Sequence, residues 1–137
     1  MISINKIVRN VKENCDANIY FERDEDGDCG WYIVEAKAIG INPQQPEPEI
    51  IESIVHEVAH HVDISENHHE ERRDIDGEVI AHCVEGIICH NEPVQGIINE
   101  YEQEIREAYC FNGVVSIDED DIVEVAERVK IICNIWG

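Results

Sequence analysis

Histidine and glutamate are concentrated in residues 56–61, whose sequence is HEVAHH. If this segment is helical, His56 and His60 lie one turn apart on the same face, because side chains four positions apart on a helix are stacked. Two imidazole nitrogens that converge from one face can bind a single divalent cation, and zinc binds imidazole nitrogen readily. We therefore expect His56 and His60 to be ligands of a zinc ion.

Glu57 directly follows the first of these histidines. At this position a carboxylate is turned aside from the metal but remains within reach of a water molecule bound to it. It can accept the proton of that water during attack on a carbonyl carbon that zinc polarises. The spacing therefore predicts Glu57 as the general base of a hydrolytic reaction.

A catalytic zinc site with two histidines needs a third protein ligand and leaves one position open for water. Glu78 is the predicted third ligand, because it lies at the start of the next predicted helix, which can pack against the first. Four other carboxylates compete for this role: Asp63, Asp74, Asp76 and Glu85. Among these, Asp74 and Asp76 could instead accept the second N–H of a ligand histidine.

His82 lies one turn beyond Glu78 and would face the same way. It could stabilise an oxyanion, serve as an alternative ligand or simply fill space, and it is therefore a candidate catalytic residue. His61 points about 100° away from His60 around the helix, so packing or solvent contact is expected for it rather than metal binding.

The elements that position these residues follow from apolar spacing and helix-capping residues. A first helix is predicted from Ser3, as its N-cap, to about Asn14. Two extended segments are predicted at residues 18–22 and 31–42, joined by an Asp- and Gly-rich turn as an antiparallel hairpin. The hairpin would precede the helix that carries the two histidines.

Prolines at positions 43, 46 and 48 precede a helix that is predicted to run to about Ile64. The polar stretch 65–73 is predicted as a loop, and a further helix is predicted at about residues 75–90. Two more helices are predicted, one opened by Asn91 and Pro93 and one by a capping box at Ser116. The order of a helix, a hairpin and four helices predicts a single α+β domain over residues 1–137, mostly helical, with a small antiparallel sheet.

The sequence HEVAHH, together with GEVIAHCVEGII at residues 77–88, resembles the small intracellular gluzincin metallopeptidases, in the neighbourhood of ImmA/IrrE-like proteins and phage or prophage zinc peptidases. In those proteins a helix with a glutamate ligand in an ExxA pattern follows HExxH, and Glu78 and Ala81 match this pattern. The resemblance covers about residues 31–90 and implies a zincin-like fold. It also implies that substrate backbone binds to residues 36–41 by strand addition. Related proteins often have an aromatic residue where this chain has His82.

The chain has 31 acidic and 10 basic residues, and its formal net charge is -21. Such a charge repels phosphate backbones and anionic lipid heads, so neither nucleic acid nor a membrane surface is an expected partner. A basic peptide or protein would be attracted to it. The expected partner is therefore a peptide or protein substrate, with basic ones favoured.

The N-terminal residues lack the apolar run and cleavage site of a signal peptide, so we expect a cytoplasmic protein. The resemblance to phage and prophage peptidases implies a bacterial or phage-infected cell. The six cysteines form no CxxC pair, and in a reducing compartment they are expected to be mostly buried thiols.

Together these features predict a zinc-dependent peptidase. The alternative is a metal-stabilised regulatory or binding module of the same fold without proteolytic activity, and a third hypothesis is an acidic protein that binds a basic partner without metal. Three protein ligands and a water are typical of a catalytic zinc, whereas four protein ligands are typical of a structural one.

Overall fold

The computed structural model describes residues 3–67, 74–91, 110–111, 114–115 and 127–136, with side-chain surroundings for 3–64, 80–91 and 127–136. The helices are α1 (Ile4–Asn14), α2 (Glu47–Asn67) and α3 (Asp74–His90), and residues 127–133 are also helical and continue into a short 3-10 helix, Asn134–Trp136. The strands are β1 (Asn18–Phe21), β2 (Gly30–Ile33), β3 (Ala38–Ile41), β4 (Cys110–Phe111) and β5 (Val114–Val115). The chain is therefore α+β, as predicted. No helix in the described ranges has the length and apolar character needed to cross a bilayer.

The predicted first helix is confirmed as α1. The side chain of Ser3 accepts a hydrogen bond from the backbone N–H of Lys6, which satisfies one of the N–H groups that a helix start leaves without a partner. Ile7 and Val11 share one face of α1 and are almost completely buried. That face packs against α2.

The predicted hairpin is wrong, because β1 and β2 are not neighbours. The sheet order is β1-β3-β2, with β3 parallel to β1 and antiparallel to β2. The predicted strand 31–42 is two strands joined by a turn in which Lys37 donates its backbone N–H to the carbonyl of Val34. Lys37 adopts a φ of 49° in this turn, a conformation that Gly or Asn usually adopts. Because the turn contains neither residue at this position, the sequence does not indicate that the strand is interrupted.

Gly40, in the middle of β3, is aligned with Tyr20 of β1 and Trp31 of β2. The Trp31 indole N–H donates to the Tyr20 hydroxyl over 2.6 Å, and the indole therefore passes over the central strand. A Cβ atom at Gly40 would lie 2.1 Å from Trp31 Nε1. Only glycine fits beneath this aromatic pair.

The opposite face of the sheet and α3 both pack against α2. Most of the buried apolar side chains lie at this junction: Ile39 and Ile41 from β3, Ile54, Val55, Val58 and Val62 from α2, and Ile80, Ala81 and Val84 from α3. Because α2 lies between the sheet and α3, the segment with the two histidines is held from both sides.

The helix α2 continues to Asn67, beyond the predicted end at Ile64, so the predicted loop starts too early. Its last residues, SEN, give no apolar signal, but they include no glycine or proline that would stop a helix. The predicted third helix is confirmed as α3, which ends where Asn91 adopts a φ of 55°, a conformation common just after a helix.

The helix predicted after Asn91 and the capping box at Ser116 fall outside the described residues. In the helical residues 127–133, Val129 and Ile132 are buried, as predicted from their spacing. The pairing of β4 with β5 was not predicted.

Candidate metal centre

The helix α2 brings His56 and His60 together one turn apart, as their spacing predicts. Their Nε2 atoms are 3.1 Å from each other, and their ring centroids are 4.8 Å apart. Both residues are half-buried. The two side chains therefore direct the same ring nitrogen toward a common point.

This arrangement fits a shared metal ion. Two ligand nitrogens at the usual zinc distance of 2.0 to 2.1 Å and a tetrahedral angle are separated by about 3.3 Å. The observed Nε2–Nε2 separation of 3.1 Å is close to that value. The same separation is that of an N–H···N hydrogen bond between the rings, so the pair is compatible with a shared zinc ion and also with a direct hydrogen bond.

Glu85 of α3 contacts the other side of the His56 ring, where its Oε1 atom accepts a hydrogen bond from Nδ1. Its side chain is 20% exposed. Burial raises the pKa of this carboxyl, but the hydrogen bond with His56 and the contact with His82 lower it by more, so the net pKa lies below the ordinary value. Glu85 is therefore an ionised acceptor beside the histidine pair.

His82 also lies at this centre, one turn before Glu85 on α3. Its ring centroid is 5.1 Å from that of His56, and its Nδ1 atom is 3.7 Å from Glu85 Oε1. One donor atom from each of His56, His82 and Glu85 lies within 4.8 Å of the others, so these three residues are a second possible donor set. The side chain of His82 is 48% exposed, which places it at the mouth of the centre.

Glu57 is buried, with 8% of its surface exposed, and it lines the same cleft as His56. The backbone of Gly30, the first residue of β2, approaches it closely: a Cβ atom at Gly30 would lie 3.3 Å from Glu57 Cγ. The start of β2 therefore confines the Glu57 side chain on the side facing the sheet.

The cleft beside the centre has a volume of about 480 Å³. Among the described residues, ten line it: Asp28, Cys29, Gly30, Gln45, Glu49, Glu52, Ser53, His56, Glu57 and Glu85. Half of these are carboxylates, so the cleft combines an imidazole donor with a strongly acidic wall.

The remaining carboxylates that the sequence offers as metal ligands are Glu78, Asp74, Asp76 and Asp63. The side chains of Glu78, Asp74 and Asp76 lie outside the part of the chain whose side chains are described, so Glu78 stays a prediction. Asp63 does not join the two histidines: its carboxylate is buried and accepts hydrogen bonds from Nε and Nη2 of Arg128, over 2.9 and 2.5 Å. Its interpretation as a competing metal ligand is therefore wrong, because its oxygens are used by a guanidinium.

His61 is 1% exposed and is used for packing, as predicted. Its Nδ1 atom is 2.6 Å from the Tyr32 hydroxyl, and its Nε2 atom is 2.7 Å from Asp16 Oδ1. Lys37 completes the chain of contacts by donating to Asp16. These contacts between residues far apart in the sequence connect α2 to β2 and to Asp16, just after the end of α1. No sequence motif predicted them.

The expectation that substrate adds to residues 36–41 is also wrong. These residues include β3, which is the central strand and is paired on both edges, so its backbone groups are already used. Among the described strands, β2 is the edge strand beside the cleft, because Gly30 contacts Glu57 and β2 pairs with β3. Any strand addition next to the centre would use β2.

Comparison of this chain with protein-family models, with curated proteins and with solved structures finds no match. The resemblance of residues 56–61 and 77–88 to gluzincins is therefore supported by those residues alone. The function must be inferred from the geometry of the centre.

Proposed function

We propose that this chain is a zinc-dependent peptidase, with His56 and His60 as metal ligands and Glu57 as the general base. The observation that carries this proposal is the 3.1 Å approach of the two Nε2 atoms on α2, beside a buried carboxylate and an open cleft. The separation alone would also suit a hydrogen bond between the two rings, and the buried Glu57 and the cleft beside the pair are what favour a metal centre.

In this proposal each residue has a separate task. When bound, zinc would acidify a water molecule and polarise the carbonyl group of the scissile peptide bond. Glu57 accepts the proton of the attacking water and later delivers it to the amine that leaves. Its burial beneath the start of β2 limits the positions that its carboxylate can take, which favours proton transfer along one path.

For the third ligand we propose Glu78, as the sequence predicts. Its position in the first turns of α3 supports this, because α3 packs along α2. His82 is the alternative from the same helix, since its ring lies 5.1 Å from that of His56. Replacing each residue in turn separates them, because loss of a ligand reduces zinc affinity far more than loss of a neighbouring side chain.

An open cleft favours an enzyme over a binding module that uses its metal only for stability. A structural zinc is enclosed by four protein ligands, whereas a catalytic zinc must be reached by water and substrate. The cleft of about 480 Å³ reaches both His56 and Glu57, and Gly30, the first residue of the edge strand β2, lines it. These features support access for an extended peptide.

The test compares the wild-type protein with Glu57→Gln and His60→Ala. We expect Glu57→Gln to retain zinc at the wild-type stoichiometry and to lower kcat by about 10²- to 10⁴-fold, since the amide cannot accept the proton. His60→Ala should lose both zinc and cleavage. Metal content is measured by elemental analysis, and cleavage is followed with a library of unstructured peptides.

His90→Ala is the control, because His90 is a histidine of α3 that is not among the described residues lining the cleft. It should leave zinc content and kcat within about twofold of wild type, as expected for a residue outside the chemistry. Undiminished cleavage by Glu57→Gln, or a wild-type protein that binds no zinc, would contradict the proposal.

A further inference from the structure

We infer that Glu85 is a positioning residue of the metal centre: it holds the His56 ring with Nε2 directed at His60, and it holds His82 beside them. This inference rests on the proposed metal centre. It assigns a role to Glu85, which lies outside the HExxH segment and whose role that segment does not predict. The contacts of Glu85 Oε1 with Nδ1 of both His56 and His82 carry it.

The first step concerns the tautomer of His56. A neutral imidazole carries one proton, and an ionised carboxylate can only accept a hydrogen bond. Glu85 beside Nδ1 therefore keeps the proton on that nitrogen, which makes Nε2 the unprotonated nitrogen of the ring. Since Nε2 is the atom that faces His60, the tautomer set by Glu85 is the one that can bind a cation there.

The second step separates positioning from ligation. Ligand atoms that share one tetrahedral zinc ion are about 3.3 Å apart, with the ion between them. Glu85 Oε1 and His56 Nδ1 are instead in direct hydrogen-bonding contact, which leaves no room for an ion between them. The pair therefore has the form of a ligand histidine with its orienting carboxylate, an arrangement common around zinc.

The third step concerns His82. Its Nδ1 atom lies 3.7 Å from the same carboxylate oxygen, so attraction to Glu85 draws one side of the His82 ring inward. The side chain is 48% exposed and would otherwise sample many rotamers. One carboxylate on α3 thus restrains two imidazoles, one from each helix.

A purely structural interpretation is that Glu85 only ties α3 to α2. The chain offers a control for it, because Glu52 of α2 lies 3.1 Å from Nε2 of His90 on α3. Glu52 and His90 also join the two helices, and His90 is not among the described residues that line the cleft. His90→Ala therefore reports what is lost when a helix-to-helix contact is removed while every carboxylate of the cleft is kept.

The first experiment measures the His56 tautomer in the metal-free protein by ¹⁵N NMR of the imidazole groups. We expect wild type to carry the proton on Nδ1, and Glu85→Ala to shift the population toward the Nε2 form. Glu85→Gln should stay near wild type, because its amide oxygen still accepts a hydrogen bond. A wild-type tautomer in Glu85→Ala would overturn the inference.

The second experiment measures zinc affinity by competition with a chromophoric chelator. We expect Glu85→Ala to weaken zinc binding by about 10- to 100-fold, Glu85→Gln by less, and His90→Ala not at all. Thermal unfolding of each variant shows whether it is folded. If Glu85→Ala does not fold, the zinc affinity of Glu85→Gln still tests the inference. Unchanged affinity in Glu85→Ala would contradict the role of Glu85 alone, whereas absence of zinc binding by wild type would contradict the proposed function.

Cobalt substitution distinguishes a positioning residue from a ligand. Visible absorption of bound Co²⁺ depends on the number and type of its ligands, so it should be the same in wild type and Glu85→Gln. A changed spectrum in Glu85→Gln would show that Glu85 binds the metal directly, and the inference would be wrong.

Discussion

The two nitrogens of a histidine ring have different partners in this protein, and the partners indicate what each ring does. His56 presents Nδ1 to Glu85 and Nε2 to His60, so one nitrogen is fixed and the other faces the proposed cation. His61 has both nitrogens within hydrogen-bonding distance of protein oxygens, from Tyr32 and Asp16. Neighbouring histidines on one helix therefore have different roles, one in the centre and one in the packing.

The contacts around Asp16 predict a pH dependence of stability. Hydrogen bonds from Lys37 and then His61 lower the pKa of Asp16 from 3.8 to about 2. In the unfolded chain the carboxyl regains its ordinary pKa, so its contribution to stability is present above about pH 4 and is lost as the pH falls toward 2. Because the Asp16 side chain is 62% exposed, this contribution should be below about 1 kcal/mol.

The check is the free energy of unfolding of wild type and Asp16→Asn, measured with urea at several pH values. The difference between the two proteins should be constant above about pH 4 and should vanish near pH 2, in line with the lowered pKa. A difference that persisted to pH 2 would show that the Asp16 charge is not the source of its effect.

At the scale of residues, the sequence predicts only those contacts of the centre that join residues close together in the chain. The spacing of His56 and His60 predicts that their rings meet, because one helix turn sets their separation. The contact of Glu85 with His56 depends on how α3 is aligned along α2, and no short-range pattern encodes that alignment. For this reason Glu85 could be named from the sequence only as one carboxylate among several.

At the scale of elements, the helices α1 to α3 of the described residues were predicted well and the strand order was not. The helices α1 and α3 have apolar spacing and terminal signals that single residues provide, such as Ser3 and Asn91. The sheet order depends on the turn before β3, where Lys37 adopts a conformation that its residue type rarely takes. A single unmarked turn was enough to place β3, rather than β2, at the centre of the sheet.

The sheet also supports a prediction about Gly40. In Gly40→Ala the new methyl group would meet the Trp31 indole, which the hydrogen bond to Tyr20 holds in place. We expect a loss of about 1 to 3 kcal/mol in the free energy of unfolding, as for other overpacked sites. In a Trp31→Ala background the same change should have little effect, because the clash is gone.

The measurement is a double-mutant cycle by urea unfolding, with Gly27→Ala as the control. Gly27 has a φ of 81° and no atom within 4 Å of a Cβ built on it, so its replacement is unfavourable through backbone strain alone. That effect should not depend on Trp31. An equal effect of Gly40→Ala in both backgrounds would contradict the steric explanation.

At the scale of the whole molecule, the excess of acidic residues that gives the net charge of -21 also extends to the lining of the cleft. Five of the described residues lining the cleft are carboxylates: Asp28, Glu49, Glu52, Glu57 and Glu85. Such a wall attracts a divalent cation and basic side chains, and it repels acidic ones. If the chain is the peptidase that we propose, this wall would favour basic peptides over acidic ones.

The C-terminal helical segment is joined to α2 by one buried ion pair. Arg128 donates two hydrogen bonds to Asp63, across 65 positions of sequence, and their side chains are 5% and 1% exposed. Loss of one partner from a buried pair leaves a charge without its counterion inside the protein and typically destabilises it by about 3 to 5 kcal/mol. We expect Arg128→Met and Asp63→Leu each to have an effect of that size.

The double variant Asp63→Leu/Arg128→Met should recover most of the lost stability, since no buried charge is left unbalanced. Urea unfolding at neutral pH measures all four proteins, and Lys37→Met serves as the control because the Lys37–Asp16 pair is 57% and 62% exposed and should contribute below about 1 kcal/mol. Zinc content should stay at the wild-type level in every folded variant, because Asp63 faces Arg128 rather than the histidine pair. Stability losses that simply add in the double variant would show that the two side chains stabilise the molecule independently and that the ion pair does not join the C-terminal segment to α2.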